Sequence, residues 1–351
     1  MYEHVLITGG AGFVGSSLAL RLRAAFPDAR LTALDNLSRR GSELNLPRLA
    51  AAGVRFVHGD VRLPADVAID PPPGLILDCA ADPSVLVSAS AIGGNLLGTY
   101  HCLEQAVRWR ADVLFLSTSR VYPMGLLNQL RFTASETRFS LAADQPWPGA
   151  SAEGIAEDFP LHGARSFYGM TKLASEMLLE EYAAAHGLRY IINRCSVIAG
   201  PWQMGKIDQG VAALWMIAHY FRRPLSYIGF GGSGKQVRDL LHVDDLADLV
   251  LAQVRHFDSY AGQCSNVGGG VGNSLSLLEA TALCREITGN TIPIDPVAGD
   301  RPNDVRVYIT DARRIGERAG WRPRRDLRQI FADLYEWLRA EEGRVAPVLL
   351  S

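Results

Sequence analysis

No apolar run in this chain approaches the length that spans a membrane, and no CxxC pair, histidine-rich tract or HExxH sequence marks a metal site. The five cysteines, Cys79, Cys102, Cys195, Cys264 and Cys284, are widely spaced, and most lie in apolar segments. That spacing predicts buried thiols in a reducing compartment rather than a disulfide framework. Cationic excess is missing too: 35 Lys and Arg stand against 37 Asp and Glu, for a formal net charge of -2. A general nucleic-acid binder needs a strong basic balance, so an anionic ligand here must meet local cations instead. Neither an internal repeat nor a low-complexity tail is present. The N-terminus enters an apolar strand at once, so the expected setting is cytoplasmic, with no metal, no nucleic acid and no membrane partner.

What the chain does carry is length and apolar content. Its 351 residues, 48% of them hydrophobic, suffice for one large or two smaller packed domains. The first half alternates strands, at Val54 to His58, Leu75 to Ala80 and Val113 to Ser117, with helical stretches such as Asn95 to Arg108. A helix from Tyr168 to about His186 and a strand from Arg189 to Cys195 follow. Such alternation predicts an α/β fold, a Rossmann-type doubly wound parallel sheet with its ligand crevice at the carboxyl ends of the strands. We expect this ligand-binding core to cover residues 1–196, and residues 197–351 to form a smaller C-terminal α/β substrate lobe. Residues 133–164 mix Pro, Gly and acidic residues over too long a span for a connector, and predict a lid or an oligomer contact.

Two motifs point to chemistry. Thr8-Gly9-Gly10-Ala11-Gly12-Phe13-Val14-Gly15 follows the apolar strand His4 to Thr8 and leads into a helix over Ser16 to Ala25. In that order the glycines allow a tight turn and a close backbone approach, and the helix N-terminus receives a pyrophosphate. The next apolar strand, Leu31 to Leu34, ends in Asp35, placed where a carboxylate accepts hydrogen bonds from a ribose 2'-hydroxyl. This favours NAD over NADP, although Arg39 and Arg40 could instead receive a 2'-phosphate. Far downstream, Tyr168-Gly-Met-Thr-Lys172 sets a phenol and an ammonium on one helix face. The Lys can favour the phenolate, which makes Tyr168 usable as an acid/base near neutral pH. The pair of motifs predicts redox proton transfer beside a dinucleotide.

With these motifs the chain resembles the extended short-chain dehydrogenase/reductase superfamily, and within it the NDP-sugar epimerases, over almost its whole length. Further matching segments are Gly59-Asp60-Val61, Asn95-Leu-Leu-Gly98-Thr99, Ser117-Thr118-Ser119-Arg120-Val121-Tyr122, Gly234-Lys-Gln-Val-Arg238-Asp239, His242-Val-Asp-Asp245 and Asn266-Val-Gly-Gly269. The resemblance implies that Asp60 and Val61 flank the adenine and that Ala80 and Ala81 pass beneath the cofactor. Gly9, Gly12, Phe13, Val14, Gly15, Asn36, Ser38, Arg39 and Asn95 complete the implied NAD bed. It further implies that Thr118 hydrogen-bonds the reacting sugar hydroxyl, that Tyr168 is the acid/base, and that Lys172 holds the nicotinamide ribose. Arg238 and Arg301 match substrate-phosphate residues, and a guanidinium fork suits two phosphoryl oxygens. Lys235 and Gln236 are further substrate candidates, while Asp208-Gln209 and Asn193-Arg194 shape the sugar pocket or support the backbone.

Other segments are similar to the CDP-paratose 2-epimerases: Asp35-Asn-Leu-Ser-Arg39, Glu136-Thr-Arg138, Asp208-Gln-Gly210, Gly234 to His242, and Asn273-Ser-Leu-Ser-Leu-Leu-Glu279. This implies a CDP-sugar partner and NAD-dependent epimerisation at C2 through a transient keto sugar. The chemical alternatives are 4-epimerisation or reduction, and a non-catalytic NAD-binding sensor is an alternative of another class. Sugar 4,6-dehydratases usually follow the catalytic Thr with an Asp-Glu pair, and nucleotide-sugar decarboxylases place a Glu two residues after it. Here those positions are Ser119 and Arg120, and an arginine cannot serve as the same proton relay. Arg120 could orient the sugar or a substrate carboxylate, or pair with the acidic segment before Tyr168. The chain departs from the family at Pro123, at Asp78 where many relatives have His, at Ala199 in place of a frequent Tyr, and at Asp82-Pro83-Ser84. These departures bear on the identity of the sugar more than on the reaction class. A homo-oligomer, dimer or tetramer, is expected.

Overall fold

A computed structural model of the chain describes residues 2–84, 91–205, 210–299 and 304–350. Gln209 and Arg301, two of the expected substrate ligands, lie outside the described residues. A seven-stranded sheet runs in the order Gln263–Val267, Tyr190–Cys195, Asp112–Thr118, Leu75–Asp78, His4–Thr8, Arg30–Asp35, Arg55–His58. From Asp112–Thr118 to Arg55–His58 every pairing is parallel, with Thr8 level with both Leu34 and Asp78. The chain moves outward from His4–Thr8 on one side, then crosses back to Leu75–Asp78 on the other. At such a reversal the crevice used by dinucleotides opens, here beside Thr8 and Asp78.

Every residue of His4–Thr8, Leu75–Asp78 and Asp112–Thr118 is buried, so both faces of the sheet are covered. On one face Leu6, Ile76, Phe115 and Ile192 pack with Cys102 and Leu103 of the helix Gly98–Trp109 and with Leu179 of the helix Phe167–His186. Each large side chain buried this way is worth roughly 1.5–3 kcal/mol. The single helix expected over Asn95 to Arg108 divides instead: Ile92–Leu97 winds as a wide π turn and the α-helix begins at Gly98. That turn carries the adjacent Gly93 and Gly94, whose missing side chains ease the irregular backbone.

The chain forms two compact units, neither of them continuous in sequence. One comprises Met1–Thr118, Phe167–Arg194 and Leu246–Ser265, and is the sheet with its helices. The other comprises Ser119–Ser166, Cys195–Asp245 and Asn266–Ser351. This differs from one boundary at residue 196, because 119–166 leave the first unit and 246–265 return to it. The cause is sheet topology: Gln263–Val267 supplies the edge strand beside Tyr190–Cys195.

The second unit has its own sheet, in which Val237–His242 pairs with Val197–Ala199, Ser274–Ser276 and Val307–Tyr308. The helices Val211–Tyr220, Leu277–Thr288 and Leu327–Leu349 pack on one another. The segment 133–164 contributes to two short hairpins, Phe132–Ala134 with Phe139–Leu141 and Ala150–Ser151 with Gly154–Ile155. Among the described residues no helix is long and apolar enough to cross a membrane, and no cluster of His, Cys, Asp and Glu is arranged for a metal.

Candidate active site

The glycine loop is shaped by two close approaches. Gly9 has φ +60, and a Cβ on it would lie 2.9 Å from Ala80 Cα; a Cβ on Gly15 would lie 2.2 Å from the Gly9 carbonyl oxygen. The helix Phe13–Ala25 starts from Gly12, which has no side chain to cap it, and carries no acidic residue in its first turn. Its opening N–H groups therefore suit a pyrophosphate. Asp35 closes the loop from below: Oδ2 accepts the Ala11 N–H at 3.1 Å and Oδ1 the Leu37 N–H at 2.8 Å. Burial raises its pKa, partly opposed by those backbone donors. Carboxylate oxygens have lone pairs beyond these two bonds, so ribose hydroxyls can be accepted as well. The residues present thus fit a dinucleotide.

Around the expected adenine position, Asn36 Nδ2 donates to Asp60 Oδ2 at 2.9 Å and Ser38 N to Asn36 Oδ1 at 3.0 Å. The Arg62 guanidinium holds Asp60 well below the ordinary carboxylate range. Val61 is half-buried and comes within 2.6 Å of where a Gly98 Cβ would be, which accounts for the glycine there. Arg39 and Ala80 are half-buried, while Arg40 and Ala81 are exposed. Asn95 differs from expectation. Its fully buried amide donates to the Asp82 carbonyl and Thr171 Oγ1, both at 3.1 Å, and accepts the Asp82 N–H at 2.7 Å. Its amide is therefore taken up in joining the Asp82 backbone to Thr171.

Thr118 is the last residue of its strand and is buried, and Tyr168 is half-buried in the first turn of the helix Phe167–His186. That helix packs against the Thr118 strand. Lys172 follows one turn after Tyr168 and is only 1% exposed, with Nζ 4.3 Å from the centre of the Phe115 ring. A cation over an aromatic face in a desolvated site gains about 2 kcal/mol, which offsets part of the cost of burying the charge. Thr171 donates to the Tyr168 carbonyl at 2.9 Å and receives Asn95, tying the π turn to the helix Phe167–His186. Asp78, the departure from a common His, has a structural occupation: its oxygens accept Thr8 at 2.7 Å and Thr99 at 2.8 Å. Thr8 Oγ1 in turn accepts the N–H groups of Cys79 and Ala80, each at 3.1 Å.

Sequence reasoning assigned nothing to Glu176, although a carboxylate one turn after Lys172 on an inward helix face was a usable signal. It binds Ser117 and Arg194, so Arg194 belongs to the support of this strand and helix. Asn193 also turns inward: its amide exchanges two hydrogen bonds with Gln253, at 2.8 and 2.9 Å. With 0% exposure it ties its strand to the Gln253 side chain rather than lining a sugar pocket.

In the second unit Arg120 is half-buried in the single turn Ser119–Val121. Tyr122 is fully buried and donates to Asn266 Oδ1 at 2.8 Å, and Asp239 accepts the N–H groups of Gly269 and Gly270 at 2.9 and 3.2 Å. Those bonds explain the Asn266-Val-Gly-Gly269 segment as architecture. Arg238, expected on phosphate, here meets Asp304 Oδ1 at 2.5 Å and the carbonyls of Val237 and Val305 at 2.6 Å. Lys235 Nζ donates to the Ser135 carbonyl at 2.8 Å, within the hairpin turn. Gln236 is different: Nε2 donates to the Ile228 carbonyl at 3.0 Å, which fixes the amide orientation, and among the described residues its buried Oε1 meets no donor. An orphaned buried acceptor suits a ligand's N–H or O–H.

A family model described as the NAD dependent epimerase/dehydratase family matches residues 5–268. The chain is 30% identical to a CDP-paratose 2-epimerase of Salmonella typhi, covering 95% of this chain and 98% of that protein. It is also 30% identical to a dTDP-glucose 4,6-dehydratase of Streptomyces antibioticus, covering 96% and 92%. Among solved structures, a UDP-glucose 4-epimerase of Thermotoga maritima with UDP-glucose has a TM-score of 0.77 at 24% identity, covering 97% of this chain and 99% of that one. That last likeness is one of fold.

Proposed function

The chain belongs to the NAD dependent epimerase/dehydratase family, and from that premise we propose that it epimerises a nucleotide-diphosphate sugar at C2, with a CDP-sugar as substrate. The observation that carries this reading is the pair Ser119-Arg120 directly after Thr118 in a sequence that keeps Tyr168 and Lys172. Elimination of water needs a carboxyl relay after the Thr, and neither a hydroxyl nor a guanidinium is one at neutral pH. The choice of C2 and of CDP rests on similarity to the Salmonella typhi CDP-paratose 2-epimerase across nearly all of both chains.

NAD, when bound, supplies reversible two-electron oxidation at the sugar carbon. The chain's own residues handle the proton. Thr118 orients the sugar hydroxyl, Tyr168 as phenolate removes its proton, and the buried Lys172 ammonium keeps that phenolate accessible near neutral pH. After the keto sugar presents its other face, Tyr168 returns the proton to the carbonyl oxygen.

The test is product stereochemistry. The NAD-loaded protein is incubated with CDP-, UDP- and dTDP-hexoses and followed by proton NMR, with a substrate deuterated at C2 as the positional probe. Inversion at C2 with the label retained is expected, because the same two electrons and the same hydrogen return. Inversion at C4 with C2 untouched, or loss of water, would overturn the C2 assignment.

A further inference from the structure

Beneath the end of the Thr118 strand lies a buried carboxylate that the acid/base chemistry does not use. Glu176 stands one turn after Lys172 on the helix Phe167–His186 and is 2% exposed. Ser117 Oγ donates to its Oε1 at 2.5 Å. Arg194 grips both oxygens, with Nε 3.1 Å from each and a terminal nitrogen 2.7 Å from Oε2. The Arg194 and Glu176 side chains are 8% and 3% exposed.

An ion pair buried this deeply is a poor source of net stability, since desolvation offsets most of the attraction and a matched apolar pair often serves as well. Direction is what it provides. A guanidinium fork on a carboxylate is planar and tolerates little sliding, whereas apolar side chains can slip past one another. Its three ends belong to three elements: Ser117 to the strand that ends in Thr118, Arg194 to the next strand of the sheet, and Glu176 to the helix that begins with Tyr168. The same strand and helix meet a second time. Phe115, two residues before Ser117 on the same strand face, lies under the Lys172 ammonium, one turn before Glu176.

We propose that Glu176 is a positioning residue which, held by Arg194 and Ser117, fixes the distance between the Thr118 strand end and the first turn of the Tyr168 helix. It rests on the assignment of Thr118, Tyr168 and Lys172 to proton transfer, because those are the groups whose spacing it sets. Catalytic geometry is lost over displacements of about 1 Å, so a slackened tie lowers turnover without weakening substrate binding.

Ser117→Ala tests this, because it removes one arm and leaves the ion pair in place. In the NAD-loaded full chain, kcat falls about tenfold while KM stays within about twofold, and Ser117→Thr, which restores the hydroxyl, recovers the rate. Hydrogen–deuterium exchange, followed by mass spectrometry, should quicken over residues 167–176 and stay unchanged in the helix Phe13–Ala25. Unchanged exchange over 167–176, or a lower melting temperature with kcat intact, would overturn the proposal. The exchange measurement requires no substrate. A wild-type protein that converts no nucleotide sugar therefore defeats the functional reading while the tie is still decided. Should Ser117→Ala not fold, the isosteric Glu176→Gln is read in the same two measurements.

Discussion

In the proposed mechanism Tyr168 and Lys172 divide one task between a group that moves a proton and a group that sets its affinity for it, so substitutions at the two should fail differently. On the proposed chemistry, Tyr168→Phe keeps the ring and loses the proton acceptor, lowering kcat by about 10²–10⁴-fold. NAD retention, followed by fluorescence of the reduced cofactor, should be unchanged; undiminished turnover would remove Tyr168 from the mechanism. Asp35 gives a pH signature. Its pKa is raised by burial, so on acidification it protonates before an exposed aspartate does and loses its capacity to accept from ribose. NAD affinity should therefore weaken as pH falls, beginning above the ordinary carboxylate range, and Asp35→Asn should flatten that profile in calorimetry. A wild-type profile already flat would show that Asp35 does not meet the ribose. Gly15→Ala forces a methyl to within 2.2 Å of the Gly9 carbonyl oxygen, and should cost about 1–3 kcal/mol in urea unfolding along with NAD binding. Most of these residues were legible because their motifs have fixed local spacing. Glu176, Asn193 and Arg238 were not, because their partners Ser117, Gln253 and Asp304 are far away in sequence, and only the folded chain brings them together.

At the level of elements, the strands of the large sheet could be read from their apolar runs, since buried parallel strands need no alternation. The helix from Tyr168 to His186 could be read from its length and its following Gly187. The π turn at Ile92–Leu97 could not, because hydrophobic period does not distinguish a wide turn from an α-turn. The hairpins within 132–155 were also hidden, their strands being only two or three residues long, too short for an alternating pattern. One of them is held by a helix cap. Ser276 and Glu279 form a reciprocal capping box at the helix Leu277–Thr288, and Glu279 Oε1 also accepts Thr137 Oγ1 at 2.9 Å. Ser276→Ala should cost about 1 kcal/mol of stability. Glu279→Ala should cost more and quicken proteolysis within the hairpin Phe132–Leu141, because it loosens the cap and the hairpin together. Equal losses for the two variants, with the hairpin still protected, would mean that the Thr137 contact carries no weight.

For the whole molecule, the alternation of strands and helices announced the fold class, but a linear reading could not show that residues 246–265 rejoin the first unit. The consequence is measurable: a fragment of residues 1–196 lacks the edge strand Gln263–Val267 and the whole helix Val243–Arg255. Expressed alone it should lack a cooperative thermal transition by circular dichroism, and an independently folding fragment would restore the simple boundary. The same discontinuity sets a timetable for a chain emerging from the ribosome. Residues 196–262 must be synthesised before the edge of Tyr190–Cys195 receives its neighbour. At roughly 5–20 residues per second, that leaves an unpaired strand edge open for several seconds. An open edge of that kind is a template for the wrong partner. Slowed translation of that stretch should therefore increase aggregation during synthesis without altering the finished molecule, a liability belonging to the order of manufacture rather than to the native state.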